Sequence, residues 1–457
     1  MMTLSDTTAP STGIDDADTT VTDSATIGPA SSSSDDGSSS GSDGDSSDSG
    51  SSGSTGDPPM VDPGDVQALP LVRLRDVCLA LDADGPQRCC LESACADDYE
   101  SSVTCLTDRI QEAAIAASDE PEIDLLFVVD NTVDTGALQH TLALRAPQIV
   151  TDLQALATGG GEDLGADVNV MVTTTDFGNP LCTPFQAHPP EMGAPITTPC
   201  TDRLERFTSL SGAQMQPEVC TDVCPNEAGL TDGSGILHFD PGGDNVDDVN
   251  AVDIDGDGTD DNATSQALAC LLPQGLNGCG YEQPLENGLQ ALNPAASWNT
   301  GGSPFLRADA TLAVVVVTNE VDCSIMDYAL MEDTDFYNTN PGTGMASPSS
   351  ALCWNAGAEC DGPDGSGVYD NCTPAEDNGL QPISRYTNYL VNELHDNQGK
   401  EVVMMVLGGV SANGVDQTVV HDWAEADLSP ADAAAGVTAE DRQFDFGIGP
   451  ACGGSTP

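Results

Sequence analysis

Two acids and a hydroxyl alternate in Asp130-Asn131-Thr132-Val133-Asp134, directly after the apolar run Ile123–Val129. Oxygens of this kind on one turn are ligands that a hard cation accepts, so the turn is a candidate metal site. An ordinary strand-to-helix turn uses the same residue types, with Asp134 or Thr135 capping the helix through a side-chain oxygen. Both readings stand on the sequence. A second oxygen-rich stretch runs from Asp253 to Asp261. Asp253, Asp255, Asp257 and Asp261 take positions 1, 3, 5 and 9 of a calcium loop, and Gly258 takes position 6, where the chain must bend sharply. Position 12 is Thr264, not a bidentate Glu; Asp244, Asp247 and Asp248 flank the loop as further oxygen donors. Ca²⁺ is the ion this spacing fits, and a solvated acidic loop is the competing reading.

Enzyme signatures are missing. There is no HExxH and no phosphate-cradling GK[ST] loop, and His140, His188, His238, His395 and His421 are dispersed without an evident nucleophile beside any of them. The expectation is a protein that binds and does not catalyse, with an unrecognised hydrolase as the remaining alternative.

Those candidate turns must be positioned by ordered elements, and the chain is not uniformly suited to supply them. Ser31–Gly56 holds only Ser, Asp, Gly and Thr. Such a segment has almost no apolar surface to offset ordering entropy, so residues 1–64 are expected to form a disordered tether. They carry 12 of the 75 acidic residues and none of the 11 basic ones. The net charge of −64 repels nucleic acid and anionic membranes, and it suits cations, basic partners, solubility or a high-salt habitat. No apolar run approaches the roughly 18 residues of a transmembrane helix.

Sixteen cysteines among Gly- and Pro-rich loops point to disulfides and an oxidising compartment. Cys-x-x-Cys pairs are absent, which disfavours zinc. Cys220–Cys224, Cys270–Cys279 and Cys353–Cys360 are the local pairing candidates, and the five cysteines from Cys78 to Cys105 leave one to pair elsewhere or stay free. Yet MMTLSDTTAPSTG has no basic start, apolar core or cleavage site. Either a signal sequence lies upstream or the thiols are reduced in the cytosol; the cysteine count favours the first. The tether looks like the spacer of a bacterial surface lipoprotein.

Residues 65–120 read as a small Cys-rich region. From 121 onward strands alternate with helices. Ile123–Val129, Asp167–Thr174, Thr311–Thr318 and Glu401–Leu407 are expected strands, Gly235–Phe239 and Gln443–Ile448 weaker ones. Ala137–Ala157 is an expected helix kinked at Pro147 and ended by Gly159-Gly160-Gly161. Ala263–Leu272, Glu282–Leu292 and Ile383–Leu394 are further helices. This alternation predicts an α/β fold, a doubly wound and mostly parallel sheet with helices on both faces. Long disulfide-rich insertions occupy 178–262 and 323–381. Sheets of this kind bind ligands beyond the carboxyl ends of their strands, where Asp130 and the turn Thr318-Asn319-Glu320-Val321-Asp322 would face each other.

FVVDNTVD followed by a long helix resembles the first metal loop of von Willebrand factor A-type domains, whose pattern is Asp-x-Ser-x-Ser. TLAVVVVTNEVDCS resembles a second hallmark, a strand ending in Thr-Asp. GCGYEQPLENGLQAL is similar to cysteine-rich secreted bacterial members. The resemblance covers roughly 122–450 and implies a Rossmann-like sheet and a site for Mg²⁺ or a related ion, with one coordination position left for a partner's carboxylate. Position by position, Asp130 matches the first Asp and Thr132 the first Ser. Asp134 replaces the second Ser, and Asn319 stands where a later Asp is expected. The middle Thr has no match; Cys279 and Gly280 lie near its place. The implied metal site is therefore degenerate. The 253–261 loop, in turn, looks like the calcium loops of dockerin and thrombospondin type 3 repeats. The family would also continue past Cys452 into a closing helix, so a C-terminal truncation is expected. Together these readings point to an extracytoplasmic adhesion or protein-binding protein, secreted or lipid-anchored, with an unspecified protein or cell-surface partner. The alternative is a calcium-stabilised structural surface protein using Asp253–Asp261.

Overall fold

The computed structural model describes residues 110–111, 114, 121–155, 165–362, 368–375, 378–407, 419–420, 423–426, 428 and 430–447. The expected tether at 1–64, nearly all of 65–120, the triple-glycine stop and the tail after Gly447 lie outside them.

The apolar runs assemble into one six-stranded sheet. Its strands are β1 (Glu122–Val129), β2 (Asp167–Thr174), β3 (Ile236–Asp240), β4 (Gly243–Asp244), β5 (Thr311–Val317) and β6 (Val402–Leu407), in the order β6-β5-β1-β2-β3-β4. β6, β5, β1 and β2 are parallel; β3 and β4 continue the sheet antiparallel. β3 and β4 fall inside the stretch 178–262 that reads as an insertion, so part of that stretch completes the sheet. β1 is central, and its residues from Ile123 to Val129 are buried. Successive side chains of a strand point to opposite faces, so a strand covered on both must be apolar throughout.

Leu125, Phe127 and Val129 of β1 pack with α1 (Gly136–Leu144), α2 (Ala146–Gln154) and α3 (Ala263–Leu271). Leu126 and Val128 pack on the other side with α4 (Pro284–Ala291) and with residues of the helical stretch Ile383–Asn397. The expected helix from Ala137 breaks at Arg145 into α1 and α2. Pro147 in the first turn of α2 has no N–H to donate, and its ring would crowd the carbonyl of Ala143. Pro284 likewise opens α4 two residues later than the sequence reading had it, because its fixed φ suits the first helical position. Of the expected strand Gln443–Ile448, the described residues Gln443–Phe446 are helical. Residues Ala439–Phe446 form a helix, opened by a capping box in which Thr438 and Asp441 satisfy each other's backbone N–H groups. The alternation of Phe444, Phe446 and Ile448 imitates a strand, but the helix-start signal prevails.

The ten described cysteines form Cys182–Cys279, Cys200–Cys220, Cys224–Cys270, Cys323–Cys353 and Cys360–Cys372. None of the three local candidates pairs as expected. Cys220 bonds back to Cys200 and Cys224 forward to α3, because packing decides which sulfurs meet. Among the described residues no helix is long and apolar enough to cross a membrane.

The amino end of the sheet is held by buried charge. Arg307 Nε and backbone N both donate to the carboxylate of Asp124, each at 2.8 Å, and Nη1 reaches Asp167 at 2.6 Å. Lys400, the chain's one lysine, donates to the carbonyls of Arg307 and Ala310 and lies 3.7 Å from Asp124. This network ties the starts of β1 and β2 to the segments leading into β5 and β6. Removing one partner leaves a buried charge uncompensated, so Arg307→Ala is predicted to cost roughly 3–5 kcal/mol in urea unfolding. A loss under about 1 kcal/mol, the scale of an exposed ion pair, would contradict the buried-network account.

Candidate metal centre

The carboxyl end of β1 delivers Asp130 into a fully buried position. Its backbone N–H donates to Val317 O of β5 at 2.8 Å. Thr132 N and Oγ1 donate to Asp130 Oδ1 at 2.9 and 2.7 Å, and Thr318 Oγ1 donates to Oδ2 at 2.7 Å. The two hydroxyls orient the carboxylate and keep lone pairs free. The capping alternative fails: Thr135, at the N-cap of α1, makes no side-chain cap bond, and Asp134 lies within the short 3-10 turn Val133–Thr135 and faces Arg442. The hydroxyl of Thr135 donates instead to the carbonyls of Asp130 and Thr132.

Buried Gln139 of α1 then links the turn to a distant segment. Its amide donates to Asp130 O and Gly275 O, both at 2.8 Å, and its carbonyl accepts from Gln274 N and Gly275 N. Residues 274–283 are thereby drawn across the strand ends. Gly278 N donates to Asn131 O at 2.8 Å. A Cβ at 278 would come within 2.8 Å of the backbone carbonyl oxygen of Asn131, so only glycine permits this approach. The next residue, Cys279, is bonded to Cys182 of the loop after β2. Cys323 N donates to Glu282 O at 2.6 Å and Gln283 N to Thr175 O at 2.9 Å, so Glu282 is held between the ends of β2 and β5. Asp322 accepts from Leu285 N at 3.0 Å and steadies the start of α4 just beyond.

Glu282 is 1% exposed, and neither of its carboxylate oxygens has a hydrogen-bond partner among the described residues. Its carboxyl comes within hydrogen-bonding reach of that of Asp130 once one of the two carries a proton. Burial pushes Glu282 well above the usual carboxylate range, and the charges of Asp130, Glu320 and Asp176 push it further. Burial also raises Asp130, against the opposing bonds from Thr132 and Thr318. Asp176, at the end of β2, is buried and raised by burial, although Gly178 N and Gln186 donate to it. Glu320 is only partly exposed; burial raises it, and so do Asp130 and Asp134. An unpaired ionised carboxylate in such a place costs several kcal/mol, so a proton or a cation must compensate it. The donors are carboxylates and hydroxyls with no sulfur or imidazole among them, which fits Mg²⁺ or Ca²⁺ and not a soft metal.

Of the residues the sequence singles out here, Asp130 and Thr132 come together. Asp134 is 37% exposed and turns toward Arg442 at 3.6 Å. Asn319 is exposed and makes no hydrogen bond to the turn. Alternation beyond β5 sends Thr318 and Glu320 to the Asp130 side and Asn319 away from it. Glu282, Asp176 and Glu320 were missed. Glu282 reads in sequence as the first residue of a helix, and only the bonds from Gln139 and Gly278 bring it over β1.

The 253–261 loop closes on its own acids. Asp253 accepts from Gly256 N at 2.7 Å and Gly258 N at 3.0 Å, and Asp261 from Ile254 N at 2.8 Å. Gly256 and Gly258 have φ of +79° and +90°, which glycine adopts without strain. Asp253, Asp255 and Asp261 each offer a carboxylate oxygen within 4.8 Å of the others and could hold a metal ion. Asp257 turns instead to Thr259 N at 2.6 Å. Thr264, at position 12, donates its hydroxyl to Asp244 at 2.5 Å. Asp167, His238 and Asp240 form another such group. It depends on the β2–β3 register, which sets Asn169 opposite His238 and is not legible in sequence. No family model, curated protein or solved structure matches the chain.

The raised carboxyls set a pH dependence. Between the ordinary carboxylate range and their folded-state values they hold protons that the unfolded chain has released, so they lower stability as pH rises through that window. In chelator, the urea midpoint is therefore predicted to be higher near pH 5 than at pH 7.5, with a smaller drop in Asp130→Asn. A midpoint that rises with pH, or an equal drop in the variant, would contradict the assignment.

Proposed function

We propose that this chain is an extracytoplasmic protein-binding or adhesion protein of the von Willebrand factor A-like kind, with a hard divalent cation at Asp130. The observation that carries the reading is the seating of Asp130. It ends the central parallel strand, takes hydroxyl bonds from Thr132 and Thr318, and lies beside a buried carboxylate without a donor. Asp130, Thr132 and Thr318 would supply oxygen ligands to the ion at the carboxyl end of the strands. The five disulfides support an oxidising compartment, and a net charge of −64 argues for a protein partner over nucleic acid.

A second reading is favoured by the grouping of Asp253, Asp255 and Asp261: a calcium-stabilised structural surface protein in which that loop orders the start of α3. Calorimetry with Mg²⁺ and Ca²⁺ on wild type, Asp130→Ala and Asp255→Ala separates the two. The first reading predicts that Asp130→Ala removes an ion-binding event that Asp255→Ala retains. Loss of all binding in Asp255→Ala alone would leave only the structural reading, and no binding to wild type at millimolar ion would end both.

A further inference from the structure

The adhesion-type site implied above leaves one coordination position for a carboxylate brought by a partner. Here the chain buries a carboxyl of its own, Glu282, beside Asp130. Resting on the metal reading of Asp130, we propose that Glu282 is an internal ligand that closes the centre, so that the ion cross-links the chain and offers no open position to a partner's acid.

Three observations carry this. Glu282 is 1% exposed with both carboxylate oxygens unpartnered, a state that needs either a proton on the carboxyl or a counter-charge beside it. Its backbone is fixed on both sides, by Cys323 N to Glu282 O, by Gln283 N to Thr175 O, and by the Cys182–Cys279 disulfide. A side chain held this way is built into the site and has not drifted there. Charge supplies the third. Asp130 and Glu282 together neutralise a divalent ion, and nearby Asp176 and Glu320 add further negative charge. The loaded centre therefore has no excess positive charge to attract a partner's carboxylate, and a partner must be recognised through other groups. The ion would join the end of β1 to residues 274–283, and through their backbone bonds to the ends of β2 and β5. Hard cations that tolerate several carboxylates fit, Ca²⁺ more readily than Mg²⁺ with its strict octahedron.

The test uses the full chain in an Asp255→Ala background, so that the exposed loop does not mask the signal. Ca²⁺ and Mg²⁺ affinity and thermal midpoint are measured for that parent and for the same chain carrying Glu282→Gln, Glu282→Ala or Asp130→Asn. The proposal predicts that Glu282→Gln weakens ion affinity by no less than the roughly tenfold that loss of an outer-shell partner costs. In chelator the same variant melts higher than the parent, because folding no longer has to place a proton or a charge on a buried carboxyl; a variant that merely misfolds would melt lower. Acetate restores ion affinity to Glu282→Ala and leaves the parent unchanged. If the parent binds ion, Asp130→Asn does not, and Glu282→Gln binds as tightly as the parent, the metal reading stands and the internal-ligand proposal is overturned. If the parent binds no ion at millimolar concentration, the metal reading itself fails and the proposal falls with it.

Discussion

Asp130 and Glu282 bury facing carboxyls at the end of the central strand, and among the described residues neither forms an ion pair with a basic side chain. Much of the surrounding structure can be understood as a response to that repulsion. Thr132 and Thr318 soften it at Asp130 with hydroxyl bonds. At Glu282 no donor does so, while two backbone bonds and a neighbouring disulfide hold the residue in place. On the proposed metal reading, two carboxyls held together in this way would be pre-organised for a cation, because the cost of assembling the ligands is met during folding by contacts elsewhere.

Those contacts are of ordinary kinds. The apolar faces of β1 and β5 fix the strands, and the Asp124–Arg307–Lys400 network locks their amino ends. Gln139 then couples the first helix, the Asp130 turn and residues 274–275 through one amide. The two ends of the sheet thus hold charge in opposite ways. At the amino end, carboxylates meet basic side chains within the chain. At the carboxyl end, carboxylates meet each other.

The strands were legible because burial on both faces demands continuous apolar runs, and Ile123–Val129 and Thr311–Val317 are such runs. Asp130 was legible because it terminates one. The remainder depended on contacts remote in sequence. Glu282 lies 152 positions from Asp130, and its adjacency rests on Gly278 being able to touch Asn131. Asn319 was chosen by matching a pattern, whereas strand alternation brings its neighbours Thr318 and Glu320 to the site. The disulfides followed packing and not proximity along the chain, as Cys224–Cys270 illustrates. Helix α3 and the loop before it were readable, since the glycines and acids of 253–261 act within one short stretch.

On the proposed reading a cation, and not a shared proton, joins Asp130 to Glu282. Crystals of the full chain grown with Mn²⁺ as the hard divalent probe, with diffraction collected near the manganese absorption edge, test it most directly. The account predicts an anomalous peak in direct coordination with both carboxylates. The two carboxyls in contact with no peak between them, in crystals grown at millimolar Mn²⁺ and neutral pH, would contradict it.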